Sequence, residues 1–472
     1  MVSRRALIVA GGTIALLAIV GALVALVLAV TSSPSDSSSD AGSAATNTSE
    51  NVVETDPLQE TYAIAALAIG DWGRTVQKEG GSCCQRRKSY SALDLNAMEY
   101  TASLLGLAAE QTQPKPAVII GHGDNFYWTG LQSRTDQAYR FHETFESKYA
   151  DASLRGIPWV NVLGNHDYGG ASFLCSSGDV PAQCGSTHEM LASLRQKFTL
   201  QAEYVSPNLN RWVLKDHFYI HRVEDAAANI TIDIFNIDSN DADSHGASQI
   251  CCQCYGYSGG DDDACEQVIR GHKYCAGGDG GMYDACMAQL KEWGQDSREQ
   301  LAVAAKASTA TWKIVNTHYS PYNHFAPQRA QEWREVLDGL GIHLFMYGHT
   351  HGEKHDYASF KTHFIENGAG GGIQNESPSG IPPFAEDYVQ KVWAAGGYPY
   401  GVFALSVSRN WLQLRFLTFD DAWVMQTELS ASRVGGVATK HCWFIPNHGG
   451  KGISCADAAA AAAVVSSSAA AA

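Results

Sequence analysis

The chain has 472 residues, 45% hydrophobic and 17% charged, with 33 basic against 49 acidic residues and a net charge of −16. That balance describes a globular body; it excludes a wholly disordered chain and a nucleic-acid binder, which needs a basic face. An anionic ligand must therefore be drawn in locally, against the overall field.

In chain order, Arg4 and Arg5 precede a charge-free, mostly apolar run from Ala6 to Val30. At about 1.5 Å per residue this run spans a hydrocarbon core of roughly 30 Å. A cleaved secretory signal has a shorter apolar region, of about 7–15 residues. The run predicts an uncleaved signal anchor over 6–30, with residues 1–5 in the cytosol and the rest extracytoplasmic. Residues 31–60, rich in Ser, Thr, Asp and Ala, predict a flexible stalk.

From Tyr62 the pattern is that of a folded body. Residues 62–69 form a short apolar run ending in Gly-Asp, a buried strand that delivers Asp71. Residues 93–109 have helical spacing, 117–121 are a second strand before Asp124, 135–149 a helix, and 157–163 a third strand leading to Asn165. Further strands are predicted at 218–223, 230–237, 312–316 and 344–347, with a helix over 287–305. Strand–loop–helix alternation implies parallel pairing with helices over the sheet. Ligands of such sheets gather at the carboxyl ends of the strands.

The segment 239–286 is polar and Gly-rich and holds six of the twelve Cys. It cannot build a core of its own, so disulfides are expected to hold it. A zinc module is the competing reading, but Cys251-Cys252-Gln253-Cys254 lacks a second, matching Cys pair. An even Cys count and sequons at Asn47, Asn229 and Asn375 fit the secretory route. The tail from Asp457 to Ala472 is low-complexity Ala, Val and Ser, and is expected to be disordered.

Seven candidate metal ligands fall in five clusters: Asp71 in Gly-Asp-Trp-Gly, Asp124 and Tyr127 in Gly-Asp-Asn-Phe-Tyr, Asn165 in Gly-Asn-His-Asp, His318 in Thr-His-Tyr-Ser, and His349 and His351 in Gly-His-Thr-His. Singly each is weak, since Gly-Asp is often a turn and His-x-His a solvated loop. Together, each after a predicted strand, they offer an oxygen-rich half and an imidazole-rich half. That set suits two cations side by side, an arrangement that clamps both the attacking and the leaving oxygen of a phosphoryl transfer.

On these motifs the chain resembles a calcineurin-like metallophosphoesterase over roughly residues 61–430, and is most similar to the small, tartrate-resistant type of purple acid phosphatase. Tyr127, three residues after Asp124, narrows the resemblance. It implies an α/β fold: a metallophosphoesterase-type β-sandwich of mixed sheets flanked by helices (four-layer α/β/β/α) in a single catalytic domain, with 239–286 as an insertion and 431–472 as a C-terminal extension. It implies Fe(III) on Asp71, Tyr127 and His351, a bridging Asp124, and Fe(II) or Zn(II) on Asn165, His318 and His349. It further implies an acid phosphatase that hydrolyses phosphate monoesters through a metal-bound hydroxide.

For proton delivery the candidates are His166, with Asp167 orienting its ring, and a second histidine downstream of His318. His324 lies only six residues on, a shorter gap than the small purple enzymes show, so that role is open. His122 reads as a core residue more readily than a pocket residue, and Trp72 and Phe126 read as packing. Gly368 to Gly372 is expected to let backbone approach the metals closely.

Small phosphorylated molecules are the expected substrates, phosphoproteins or nucleotides among them, and the membrane is the expected partner through the anchor. Two rivals stand beside the monoesterase. One is a phosphodiesterase or nucleotide hydrolase using the same site. The other is a surface-displayed binding protein with a relict centre, which the intact ligand set disfavours.

Overall fold

The computed structural model describes residues 55–74, 94, 96–261, 263–419 and 436–470. The expected anchor at 6–30, the stalk up to residue 54, the Asn47 sequon, Cys83 and Cys84 lie outside the described residues. Among the described residues no helix is long and apolar enough to cross a membrane. Residues 55–60 do not behave as a stalk. Pro57–Gln59 form a 3-10 turn capped by Asp56, and Trp411 Nε1 donates to the Thr55 carbonyl at 2.7 Å, so the segment is docked on the body.

The strands are β1 (Ile64–Ile69), β2 (Val118–Gly121), β3 (Trp159–Asn161), β4 (Cys175–Ser177), β5 (Val180–Ala182), β6 (Trp212–Val213), β7 (Phe218–Asp225), β8 (Ile230–Ile237) and β9 (Trp312–Asn316). There follow β10 (Leu344–Tyr347), β11 (Glu353–Ala358), β12 (His363–Asn367), β13 (Val389–Ala394), β14 (Val402–Val407), β15 (Trp411–Phe419), β16 (Val437–Pro446) and β17 (Ile453–Ser454). Among the described residues they build an eight-stranded sheet in the order β17-β16-β15-β14-β1-β2-β3-β6, a seven-stranded sheet in the order β13-β11-β12-β10-β9-β8-β7, and a separate two-stranded sheet of β4 and β5. The two large sheets are mixed: β1, β2 and β3 run parallel in the first and β8, β9 and β10 in the second, with antiparallel strands beside them.

Alternation along each strand assigns the layers. Ala66, Ala68, Val118, Ile120, Phe403 and Leu405 of the first sheet share one core with Ile232, Ile234, Trp312, Ile314, Leu344 and Met346 of the second. The intervening Leu67, Ile69 and Ile119 pack under the helix Ala97–Gln111 through Met98, Ala102 and Leu105. On the far side, Phe235, Val315, Phe345 and Tyr347 pack under the helices Gly280–Ala307 and Pro327–Leu337 through Leu301, Ala305, Trp333 and Leu337. The result is the expected four-layer α/β/β/α sandwich. Strands covered on both faces read as continuous apolar runs, which is why the sequence shows them without an alternating pattern.

Two polar devices tie the sheets together. Beneath the loop ends, Asn316 at the end of β9 donates from Nδ2 to the Gly121 carbonyl at 3.0 Å and to Asn236 Oδ1 at 2.9 Å, while its Oδ1 lies 2.7 Å from His122 Nδ1. At another place three buried imidazoles form a chain: His363 Nε2 to the Gly450 carbonyl at 2.9 Å, His355 Nε2 to His363 Nδ1 at 2.8 Å, and His441 Nε2 to His355 Nδ1 at 2.9 Å. Because the carbonyl can only accept, every proton in the chain is assigned, each ring donating from Nε2.

The ten Cys among the described residues form five disulfides, Cys175–Cys184, Cys251–Cys286, Cys252–Cys275, Cys254–Cys265 and Cys442–Cys455. The insertion is thus held by three bonds of its own, which sets the zinc reading aside, and the bonds fit an oxidising compartment. The C-terminal part departs from expectation. β16 and β17, within the stretch expected as an extension, are strands of the first sheet.

The tail also differs, since Cys455–Ala470 is a helix where disorder was expected. Alanine is the strongest helix former, Ser454 Oγ accepts from Asp457 N at 3.0 Å, and the Cys442–Cys455 bond fixes the first turn. The Asn375 sequon is a further correction. Asn375 is buried with its amide donating to the Tyr398 carbonyl, which leaves a glycan no exit, whereas Asn229 is exposed in the β7–β8 turn.

Candidate metal centre

The parallel strands place the motifs on one rim. Asp71 follows β1, Asp124 follows β2, Asn165 follows β3, His318 follows β9, and His349 and His351 follow β10. Asp71, Asp124 and His349 have φ of 54°, 52° and 67°, left-handed values that Asp and His tolerate better than most residues and that cluster at functional sites. Trp72 and Phe126 anchor these turns from below. Trp72 is fully buried, its ring centroid 5.2 Å from that of Trp159 and 5.3 Å from that of Tyr149, and Phe126 packs 4.8 Å from Phe141. Burying an indole contributes on the order of 2–3 kcal/mol, enough to hold a strained turn of about 1–3 kcal/mol.

All seven candidate ligands meet, and they meet in two groups. In the first, the Tyr127 hydroxyl donates to Asp71 Oδ1 at 3.1 Å, and His351 Nε2 lies 3.7 Å from the same oxygen. In the second, Asn165 Oδ1 lies 3.1 Å from His318 Nε2 and 3.2 Å from His349 Nδ1, with the two imidazole nitrogens 3.3 Å apart. Asp124 stands between, its Oδ1 3.6 Å from His318 Nε2, and Asp71, Asp124 and His318 bring ligand atoms within 4.8 Å of one another. Sequence spacing could not assign His349 and His351 to different groups; the fold does, because His349 donates its backbone N–H to Asp71 Oδ2 at 2.9 Å and turns its ring to Asn165.

The donor set fits a cation pair. Burial, reinforced by the neighbouring Asp124, holds the Asp71 carboxyl well above its ordinary range, and burial with both carboxylates does the same to the Tyr127 phenol. A multivalent cation reverses that sign and makes the same groups ligands. Burial likewise keeps His318 and His349 neutral, the form that binds metal. Backbone approach is tight around them. A Cβ at Gly164 would stand 2.2 Å from Asp124 Oδ1, and one at Gly368, in the expected glycine-rich turn, 2.1 Å from the Thr350 carbonyl.

Supporting contacts orient the ligands, as they do in metal sites generally. The His122 carbonyl accepts from His318 Nδ1 at 2.8 Å, so His122, fully buried on Asn316, acts through its backbone. Asn165 Nδ2 donates to Gln249 Oε1 at 3.4 Å, and His351 Nδ1 lies 3.8 Å from Glu376 Oε1. Gln249 and Glu376 were not legible in the sequence as site residues, because neither belongs to one of the five ligand clusters.

His166 is at the site, its ring 4.7 Å from that of Tyr127, with Nδ1 2.8 Å from the Trp128 carbonyl. Asp167 does not orient that ring, contrary to expectation. Its carboxylate accepts from the backbone N–H of Asn125, Phe126 and Gly164 and from Gln201 Nε2, at 2.8–3.1 Å, and so ties the loop after β2 to the loop after β3. His324 is brought to the edge of the second group, its ring 4.8 Å from that of His349. Its Nδ1 accepts from Ser320 N–H at 3.0 Å, its Nε2 lies 3.3 Å from Thr350 Oγ1, and burial pushes it down to about 3.

Fold and site together define a metallophosphoesterase. The chain belongs to the calcineurin-like phosphoesterase family, whose model matches residues 66–353. It is similar to tartrate-resistant acid phosphatase type 5 of Mus musculus, 25% identical over 66% of this chain and 73% of that protein. It is also similar to purple acid phosphatase 17 of Arabidopsis thaliana, 24% identical over 67% of this chain and 70% of that one. The Homo sapiens type 5 enzyme is 29% identical over a shorter stretch, 38% of this chain and 42% of its own length. Among solved structures the chain is similar to GAP50, the anchor in the inner membrane complex of Plasmodium, at 14% identity over 80% of this chain and 90% of that one, with a TM-score of 0.46.

Proposed function

We propose that this chain is a metal-dependent phosphoric monoester hydrolase of the purple acid phosphatase type, with Fe(III) and either Fe(II) or Zn(II) in one dinuclear centre. Asp71, Tyr127 and His351 would hold the trivalent ion and Asn165, His318 and His349 the divalent one, with Asp124 available to both. The observation that carries the reading is the separation of the donors into an anionic oxygen-rich group and a neutral imidazole-rich group about Asp124. Hard, anionic donors with a phenolate suit a trivalent ion, and imidazole with an amide oxygen suits a divalent one. When bound, such a pair lowers the pKa of water and neutralises charge on the phosphate.

The chain's own residues supply the rest. His166, with Nδ1–H on the Trp128 carbonyl, donates in its protonated form from Nε2 to the departing alcohol oxygen. His324, with both ring nitrogens engaged by Ser320 and Thr350, packs its ring 4.8 Å from that of His349 as a positioning residue rather than carrying a proton. Gln249 and the His122 carbonyl fix the Asn165 amide and the His318 ring. The catalytic domain is extracytoplasmic and tethered through residues 6–30; a protein released from membranes by salt washing alone contradicts the tether.

Iron analysis with a visible spectrum tests the centre. A tyrosinate-to-Fe(III) band that Tyr127→Phe abolishes supports the reading, and an iron-free, colourless protein with full activity refutes it. Turnover of a monoester against a diester of one aromatic alcohol separates the monoesterase from a diesterase.

A further inference from the structure

The insertion leaves the carboxyl end of β8, on the rim that carries the metal motifs, and encloses a cavity of about 410 Å³. That is within the range of small-molecule sites, roughly 300–1,000 Å³. Asp243, His245, Gln249, Tyr255, Glu266 and Val268 line it, and the Cys254–Cys265 bond forms part of its wall.

Two of these residues also border the candidate centre. Gln249 Oε1 accepts from Asn165 Nδ2 at 3.4 Å, and the His245 ring centroid is 5.7 Å from that of His349. His245 is fixed there by its own carbonyl, which accepts from the Tyr319 hydroxyl at 2.9 Å, while the Tyr319 ring packs 4.4 Å from His349. The cavity and the candidate centre thus share Gln249 and His245 as a common border.

The lining fixes the chemistry of the guest. Among the described residues that line the cavity there are two carboxylates and no Lys or Arg. Asp243 is already committed, to Arg329 Nη1 at 3.0 Å and to Ala326 N–H at 2.8 Å, so the exposed Glu266 is the carboxylate left to meet a ligand. Such a wall repels a second phosphate or a carboxylate and accepts hydroxyl or ammonium groups, with Tyr255 and Val268 for the carbon chain.

We propose that this cavity receives the alcohol part of the phosphomonoester and selects alcohols with an ammonium-bearing or hydroxylated end over anionic ones. Gln249 and His245 are the positioning residues on the side shared with the centre, and Glu266 reads the charge of the guest. The inference rests on the phosphomonoesterase reading above.

The test uses the full, metal-loaded chain and four substrates: methyl phosphate and the phosphates of three-carbon alcohols ending in an ammonium, a hydroxyl or a carboxylate. The expected KM rises from ammonium through hydroxyl to carboxylate, by about 2- to 5-fold across the series, as one exposed charge contact gives. Glu266→Lys should reverse the ammonium-to-carboxylate order, a change that general loosening of the insertion would not produce. Equal KM for the three, or an order unmoved by Glu266→Lys, overturns the cavity inference alone. Hydrolysis of none of the four, methyl phosphate included, overturns the phosphomonoesterase reading and the inference with it.

Discussion

Replacing Asp71 by Asn separates the metal site from the fold. The two Asp71 oxygens have distinct neighbours: Oδ2 accepts the His349 N–H at 2.9 Å, and Oδ1 accepts the Tyr127 hydroxyl at 3.1 Å. An Asn keeps the first bond through its carbonyl oxygen. Its amide N–H then donates to the Tyr127 oxygen, whose hydroxyl can rotate to accept. The substitution also removes a carboxyl whose ionisation burial and the neighbouring Asp124 oppose, so the metal-free protein should lose no stability and can gain some.

The metal-loaded protein behaves differently. An ion present at about 100 times its dissociation constant adds about 2.7 kcal/mol. A body of roughly 400 residues has an unfolding entropy near 0.8 kcal/mol/K, so each ion raises Tm by about 3 °C. Asp71→Asn should abolish much of that rise for the ion it serves and lower kcat/KM by about 1,000-fold, the worth of several kcal/mol of charge stabilisation. Thermal melts of chelator-treated and metal-reloaded protein, beside kinetics on one monoester, measure both. A metal-dependent rise in Tm equal to that of the wild type, or a metal-free Tm lowered by several degrees, refutes the assignment.

Gly164→Ala should fold yet lose bound metal and most activity, because its Cβ would stand 2.2 Å from Asp124 Oδ1; metal content per chain checks it. Asp167→Asn should cost about 2–3 kcal/mol in stability and about 10- to 100-fold in kcat/KM, since an amide can accept only part of what four N–H donors offer. Unchanged activity would show that the two loops do not depend on it.

His441 gives a pH prediction. Burial pushes it down to about 4, while the unfolded value is about 6.5, so its stabilising effect is whole above pH 6.5 and is lost as pH falls toward 4. His441→Gln keeps an N–H for His355 Nδ1 without titrating. It should flatten the acid-side loss of stability by up to about 1.4 kcal/mol per pH unit, read from denaturant melts between pH 6.5 and 4.5. Parallel curves for the two proteins would contradict the role given to that ring.

The strands and the ligand set were legible because both are local. An aliphatic run covered on both faces, such as β8 or β10, announces itself by composition alone, and its predicted bounds matched the observed ones. The turns that end in Asp71, Asp124 and Asn165 are equally local, since a strand end and its next residues are contiguous. The tail was misread for the complementary reason. Low complexity argues disorder, yet the Ser454 cap and the Cys442–Cys455 bond supply the start that an alanine run needs to stay helical. Asp167 was misread because its neighbour in sequence, His166, is not its partner in space.

Sequence by itself thus determined the family, the ordered donors and the disulfide-held insertion, all of which reside in residue types and short spacings. Tertiary structure alone decided which histidine joins which carboxylate, because His349 meets Asp71 across 278 positions and two sheets must pack before that backbone N–H reaches it. It also decided that Gln249 and His245 of the insertion border the centre. Contacts of that kind depend on where two sheet rims converge, and no local pattern encodes a convergence between segments so far apart in the chain.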